Sequence, residues 1–223
     1  MTRLPQLLVL SMLALPALAQ HTATIEQQRS LGTARIDQST AMYASDATIV
    51  QASGVGNQAV IQQEDTDAHA TVRQSGDNQA VQVLQSGDGV YATITQGGGF
   101  GNSVVLEQVG LSNTANLRQT GSLHQARIAQ SGRGMRADVV QEGVGNEATI
   151  ELSGTDSLAT IEQAGSGNRG YIVATADLNL ATIRQGGVGN LARITQTETN
   201  RTATILQNTV SPGFGNTATI IQR

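Results

Sequence analysis

The side chains with most capacity for polar chemistry in this 223-residue chain are its glutamines, and their spacing is regular. Residues 181–196 read ATIRQGGVGNLARITQ, two near-copies of Ala-x-Ile-x-Gln around a glycine-asparagine bend. A primary amide both donates and accepts hydrogen bonds, so such a row can bond to itself, hold a ligand or face water. Other chemistry is sparse. His21, His69 and His124 stand far apart along the chain, in separate repeats, which argues against shared metal ligation. Asp and Glu fall mostly in bends or on outward faces, where solubility and register control account for them. Asp77 and Asp88, each beside a glycine, are read as brakes on premature aggregation. No catalytic residue, metal ligand or cofactor-binding residue is therefore assigned.

The elements that position the glutamines emerge when the last Gln of each unit is taken as an anchor. Anchors fall at Gln27, Gln38, Gln51, Gln63, Gln74, Gln85, Gln96, Gln108, Gln119, Gln130, Gln141, Leu152, Gln163, Ala174, Gln185, Gln196, Gln207 and Gln222. Thirteen of the 17 intervals are 11 residues long, and the longer ones contain extra Gly, Ser or Pro. Two residues before every anchor stands Ile, Val or Leu. Four before it, the odd units always have Ala, whereas the even units admit Val81, Val104 and Gly170. A second alternation lies in the bends. Asn57, Asn102, Asn146, Asn168, Asn190 and Asn216 stand six before the anchor, all in even units. The repeat is thus about 22 residues, in two unequal halves, nine times over.

Within each half, Ala, Ile and Gln share one parity, and Thr, Glu, Arg or Val mostly fill the other. Alternation at period two marks a strand with one buried face. A helix is excluded because glycine-rich bends recur too often for one to nucleate. Gly and Asn suit those bends through their tolerance of left-handed backbone angles.

One such strand cannot bury its face alone. Two strands joined by a tight arc make one coil of a flattened solenoid, and stacked coils pair each strand with its counterpart one repeat later. The expected fold is an all-β, two-sheet β-solenoid of about nine coils, amyloid-like in its cross-β stacking. Residues 20–44 form a first, irregular coil and 45–223 the regular solenoid. Small inward Ala lets the sheets approach closely. An inward Gln is costly unless bonded, so the glutamines at 51, 74, 96, 119, 141, 163, 185 and 207, and at 63, 85, 108, 130, 196 and 222, are expected to form amide ladders along the axis. The bend asparagines are expected to do the same. Leu152 and Ala174 interrupt the column and should weaken it locally.

Such a stack has two open ends, the first strand pair near Thr22 to Gln38 and the last near Ala203 to Gln222, with Ala23, Ile25 and Gln27 and Ala218, Ile220 and Gln222 as the assembly residues. Neither carries a capping helix, and Pro212 lies in the preceding arc rather than in a strand. Because end coils match interior ones, another molecule can add as the next coil. Head-to-tail addition of this kind does not close and builds a filament.

The first 19 residues have the anatomy of a signal peptide: Arg3, an apolar run from Leu7 to Leu15, and Ala17-Leu18-Ala19 as the cleavage pattern. The run is too short to span a bilayer. The chain carries a net charge of −4, and loss of Arg3 makes the mature chain more acidic, which argues against nucleic-acid binding. It has no Cys, no Trp and 2% aromatic residues, so its core must come from Ala, Ile and Val.

These residues resemble the curlin repeat family of bacterial curli fibre subunits, whose pattern is Ser-x5-Gln-x-Gly-x2-Asn-x-Ala-x3-Gln. Gln185, Gly187, Asn190, Ala192 and Gln196 fit it, with Asn179 in place of the leading Ser. Ser157, Gln163, Gly165 and Asn168 fit until Gly170 and Ala174; Gln141, Gly143, Asn146 and Ala148 fit until Leu152. The resemblance covers essentially the whole mature chain. It implies an extracellular functional amyloid for adhesion and biofilm matrix, reaching the cell surface through the periplasm. It also implies export by a dedicated outer-membrane pore, with the chain itself and a related curlin subunit as partners and neither cofactor nor small-molecule substrate. The leader that usually follows the signal peptide is short or absent here, since the pattern starts at about Thr22. Major subunit and nucleator stay equally open.

Two other classes compete. An ice-binding solenoid would use the outward Thr24, Thr48, Thr71, Thr93, Thr160, Thr182 and Thr204, but only Thr93-Ile94-Thr95 supplies a second Thr. Glu26, Arg73, Arg118, Glu162 and Arg184 break that neighbouring column, and β propensity alone selects Thr. A monomeric solenoid adhesin would need capped ends. GGGFGN at 97–102 lacks the Asp of calcium-binding nonapeptides.

Overall fold

A computed structural model describes residues 21–28, 30–41, 44–208 and 215–223; the signal-peptide region and Pro212 lie outside them. The described chain is all strand, bend and turn, without a helix. The strands begin with β1 (Thr22–Gln27), β2 (Ser30–Ala41), β3 (Asp46–Asp65), β4 (His69–Asp77), β5 (Ala80–Asp88) and β6 (Tyr91–Phe100). Next come β7 (Ser103–Leu111), β8 (Thr114–Ser122), β9 (Gln125–Arg133), β10 (Arg136–Val144), β11 (Glu147–Thr155) and β12 (Leu158–Ser166). The last are β13 (Arg169–Ala174), β14 (Leu180–Val188), β15 (Leu191–Gln196), β16 (Thr202–Asn208) and β17 (Thr217–Gln222).

All pairing is parallel and joins each strand to its counterpart one coil on. Ala137 pairs with Ala159 and Ala159 with Ala181; in the other sheet Ile128 pairs with Ile150 and Ile150 with Ile172. One sheet contains β1, the start of β3, and β4, β6, β8, β10, β12, β14 and β16. The other contains β2, the end of β3, and β5, β7, β9, β11, β13, β15 and β17. The result is a two-sheet β-solenoid of about nine turns. Among the described residues the register slips only near the N-terminal end, at Leu31/Thr33, Asp37/Thr40, Gln51/Ser53 and Ser75/Asp77. The first two slips fall in β2, where the half-repeat spacing is 13 residues.

The interior is built from two repeated columns. Ala47, Ala137, Ala159 and Ala181 are buried, as are Ile49, Ile94, Ile161 and Ile183 in the same sheet. Each buried Ile contributes about 1.5–3 kcal/mol, and the short Ala beside it keeps the sheets close. Alternation does the sorting: β12 runs intermediate, buried, intermediate, buried along Leu158-Ala159-Thr160-Ile161.

Most arcs carry a left-handed residue seven before the anchor. That column includes Gly56, Asp67, Asn78, Gly89, Gly101, Ser112, Leu123, Gly134, Gly145, Asp156, Gly167, Leu178, Gly189 and Asn200, with φ between 50° and 75°. Sequence reasoning placed the left-handed tolerance partly on the bend asparagines at 57, 102, 146, 168 and 190. The residue before each of them makes the turn instead, which leaves those asparagines free to point inward. A second glycine column follows the anchor by two. A Cβ on Gly143 would overlap the carbonyl of Gly165, and one on Gly165 that of Gly187. There, successive arcs touch backbone to backbone, which only glycine allows.

Candidate functional site

The first sheet carries an unbroken amide chain. Gln27 Nε2 donates to Gln51 Oε1 at 2.7 Å, Gln51 to Gln74 at 3.0 Å, Gln74 to Gln96 at 3.0 Å and Gln96 to Gln119 at 2.9 Å. Gln119 then donates to Gln141 at 2.8 Å, Gln141 to Gln163 at 2.9 Å, Gln163 to Gln185 at 2.9 Å and Gln185 to Gln207 at 3.0 Å. From Gln51 to Gln207 these side chains are at most 5% exposed. Buried amides in such a row exchange their water partners for one another, which removes most of the burial cost.

The second proton of each amide crosses the core. Gln74 Nε2 donates to Gln58 O at 3.1 Å, Gln96 to Ala80 O at 3.3 Å and Gln163 to Glu147 O at 2.8 Å. A carbonyl needs a donor, so this second bond fixes which way each amide faces. All the ladder bonds therefore run in one direction, toward the C-terminal coil.

The second sheet is different. Gln38 donates to Gln63 at 2.7 Å, Gln63 to Gln85 at 2.9 Å, Gln85 to Gln108 at 2.9 Å and Gln108 to Gln130 at 2.8 Å. Leu152 and Ala174 then fill the column without an amide, and the ladder resumes as Gln196 to Gln222 at 2.9 Å. At the restart Gln196 Oε1 is buried without a donor.

The bend asparagines are buried but do not follow the glutamine rule. Asn57 Nδ2 donates to Ser53 O at 3.0 Å and Gly76 O at 2.8 Å, and its Oδ1 accepts from Gln79 N at 3.0 Å. Asn102, Asn146 and Asn168 repeat the scheme, each donating to an arc glycine of the next coil and accepting from the main chain there. Asn190 donates to Gly186 O at 2.7 Å and accepts from Asn216 N at 3.0 Å. Direct amide-to-amide contact occurs between Asn190 and Asn168 at 3.0 Å. The expected asparagine ladder is thus corrected to a set of side-chain-to-backbone staples. The shorter Asn side chain reaches the arc main chain before it reaches its neighbour.

Sequence reasoning also missed members of this column. In odd units, Asn113 bonds as the even-unit asparagines do, and Asn179 donates to Ala176 O of its own arc; their Oδ1 atoms accept from Met135 N and Arg201 N. The rule of six before the anchor would have found them, along with Gln79, His124 and Ser157, all of them buried. His124 is the unusual member. Its Nε2 donates to Thr120 O at 3.1 Å and its Nδ1 accepts from Asn146 N at 3.3 Å. Burial pushes its pKa below the ordinary imidazole value, opposed in part by hydrogen bonds to the main chain at Thr120 and Gly143.

The outward faces are wet and paired across coils. Arg184 meets Glu162 at 3.0 Å and Arg169 meets Glu147 at 3.5 Å, while Tyr171 donates to Glu147 at 2.8 Å. Exposed pairs of this kind add little stability. The Thr column is in register from Thr24 to Thr93 and from Thr160 to Thr204, with Asn116 and Asp138 between.

The end residues are only half covered. Ala23, Ile25, Ala218 and Ile220 pack against the core while partly exposed, and Gln27 and Gln222 share that exposure. Among the described residues, β1, β2, β16 and β17 each pair along one edge.

The family model of the curlin associated repeat matches residues 110–143, 136–165 and 154–187. No curated protein and no solved structure matches the chain.

Proposed function

We propose that this chain, which the curlin associated repeat model matches over residues 110–187, is a secreted structural subunit that stacks end to end into extracellular, amyloid-type fibres for adhesion and biofilm matrix. The observation that carries this reading is the match between the open edges and the interior: β1 and β17 present the same Ala, Ile and Gln columns that most interior coils bury. A further copy covers those columns and extends the ladders without new chemistry. The buried glutamines serve as register locks, because a shift of half a coil sets unlike columns side by side. The bend asparagines hold each arc to the next. The chain's partners are then itself and a related curlin subunit, and a curli-type outer-membrane pore exports it.

The test incubates purified mature protein with a thioflavin-type dye and follows it by electron microscopy. Dye-positive filaments are expected; protein that stays monomeric and dye-negative overturns the reading. Seeding of this chain on another curlin, and of the other curlin on this chain, distinguishes main subunit from nucleator.

A further inference from the structure

The flanks of the solenoid are grooved in two places, well away from its ends. One groove, of about 310 Å³, crosses β7, β9, β11 and β13 on the outer face of the second sheet. Its walls follow from the register. Glu107, Ala129, Glu151 and Val173 are successive partners along one side. Val109 and Ser131 begin the other side, which Ser153 and Thr175 continue. Gln130 and Leu152 also line the groove, and because their side chains are buried in the core, their main chain makes its floor. The two rows stand two residues apart on each strand, about 6.7 Å, and four coils give a length of about 14 Å.

The opening is made by Ala129, whose methyl group stands between two glutamates in its column, with the short Ser131 across from it. No register slip interrupts these strands, so the slot is straight and preformed.

Charge separates this groove from its counterpart. The second groove, of about 370 Å³ on the first sheet, is built around Glu142, Glu162, Ala164 and Arg184. Both of its carboxylates are paired, Glu142 with Arg118 at 3.6 Å and Glu162 with Arg184 at 3.0 Å. In the groove over Ala129, Arg127 turns to Glu107 at 3.8 Å. Glu151 is exposed there and has no ion-pair partner among the described residues. Two carboxylates against one guanidinium give this groove a net charge of −1.

We propose that the groove over Ala129 and Glu151 is a binding site for a small, elongated, planar aromatic cation that lies along the solenoid axis. The groove itself needs only the solenoid; its repetition once per chain along a fibre rests on the end-to-end reading. Ligand sites of this size are mostly apolar, with a few polar groups that set orientation. Val109, Ala129 and Val173 supply the apolar surface, and the unpaired carboxylate of Glu151 supplies the charge. A flat ring system fits between two parallel rows, and a rigid one loses little freedom on entering a straight slot.

The test titrates filaments, checked by electron microscopy, with thioflavin T and with an uncharged benzothiazole of the same ring system. Thioflavin T should saturate at one per chain and bind about fivefold more tightly than the uncharged compound, an advantage that salt removes. Glu151→Gln should abolish that advantage while leaving the uncharged compound unaffected. Ala129→Ile fills the slot with a residue suited to a strand and should weaken both compounds by about tenfold. Ala164→Ile, which fills the groove on the first sheet, should change neither. Unaltered binding in Ala129→Ile or Glu151→Gln, or an equal loss in Ala164→Ile, overturns the site while filaments in the micrographs leave end-to-end assembly standing. An unmodified chain that stays monomeric overturns the end-to-end reading instead, and the same titrations on the monomer then decide the groove.

Discussion

Gln196 and Ala174 are register partners in adjacent coils, and the oxygen of Gln196 is buried without a donor because Ala174 has no amide to offer. The orphan marks where the second ladder restarts. Leu152 and Ala174 thus divide that sheet's amide ladder into two blocks, while the opposite ladder runs unbroken from Gln27 to Gln207.

Restoring the missing rungs should stabilise the fold. The double substitution Leu152→Gln with Ala174→Gln links Gln130 to Gln196, and each new rung contributes about 1 kcal/mol. The denaturation midpoint should rise in urea for the double variant, whereas Ala174→Gln alone moves the unpaired oxygen one coil back, opposite Leu152, and should give little gain. In the native chain, amide exchange should be faster in β11 and β13 than at 185–207; equal rates would show that the gap has no local cost.

The two glycine columns should respond differently to alanine. Gly143→Ala drives a Cβ into the Gly165 carbonyl and should abolish the native stack or cost more than about 3 kcal/mol. Gly145 has open space around it and a φ of 65°, so Gly145→Ala meets only left-handed strain of about 1–2 kcal/mol. Circular dichroism with thermal melting separates the two; equal losses would contradict the assignment.

Leu178 carries the opposite problem. It holds a φ of 56° with its side chain 56% exposed, a position that most coils give to Gly, Asp or Asn. Leu178→Gly should raise stability by about 0.5–1 kcal/mol, strain relief outweighing the added freedom of the unfolded chain. A lower melting temperature would mean that Leu178 makes a packing contribution larger than its strain.

His124 should make the fold acid-sensitive. Its folded pKa lies below the ordinary value of about 6.5, so as pH falls the unfolded chain takes up the proton first. Stability is then unaffected above that value and declines beneath it, because protonated Nδ1 would turn a hydrogen toward the N–H of Asn146. Melting curves from pH 7.5 to 5 should show this decline, and His124→Asn, the residue common in that column, should flatten it. An unchanged slope in the variant would assign the effect to other groups.

Much of this was legible in the chain because the relevant information is local. Alternation at period two sorts Ala, Ile and Gln from Thr, Glu and Arg within any five residues, and recurrence at 22 dictates stacking of like on like. Those two facts determine the all-β solenoid. The direction of each amide was not legible, because it depends on a main-chain carbonyl that the opposite sheet brings across the core, as Gln58 O is brought to Gln74. Nor was the role of the bend asparagines: side-chain reach, settled only in three dimensions, decides that Asn57 bonds Gly76 rather than Gln79 side chain to side chain. The sequence by itself determined which residues face inward; only the tertiary structure decided which atoms meet, since that depends on neighbours a full coil away.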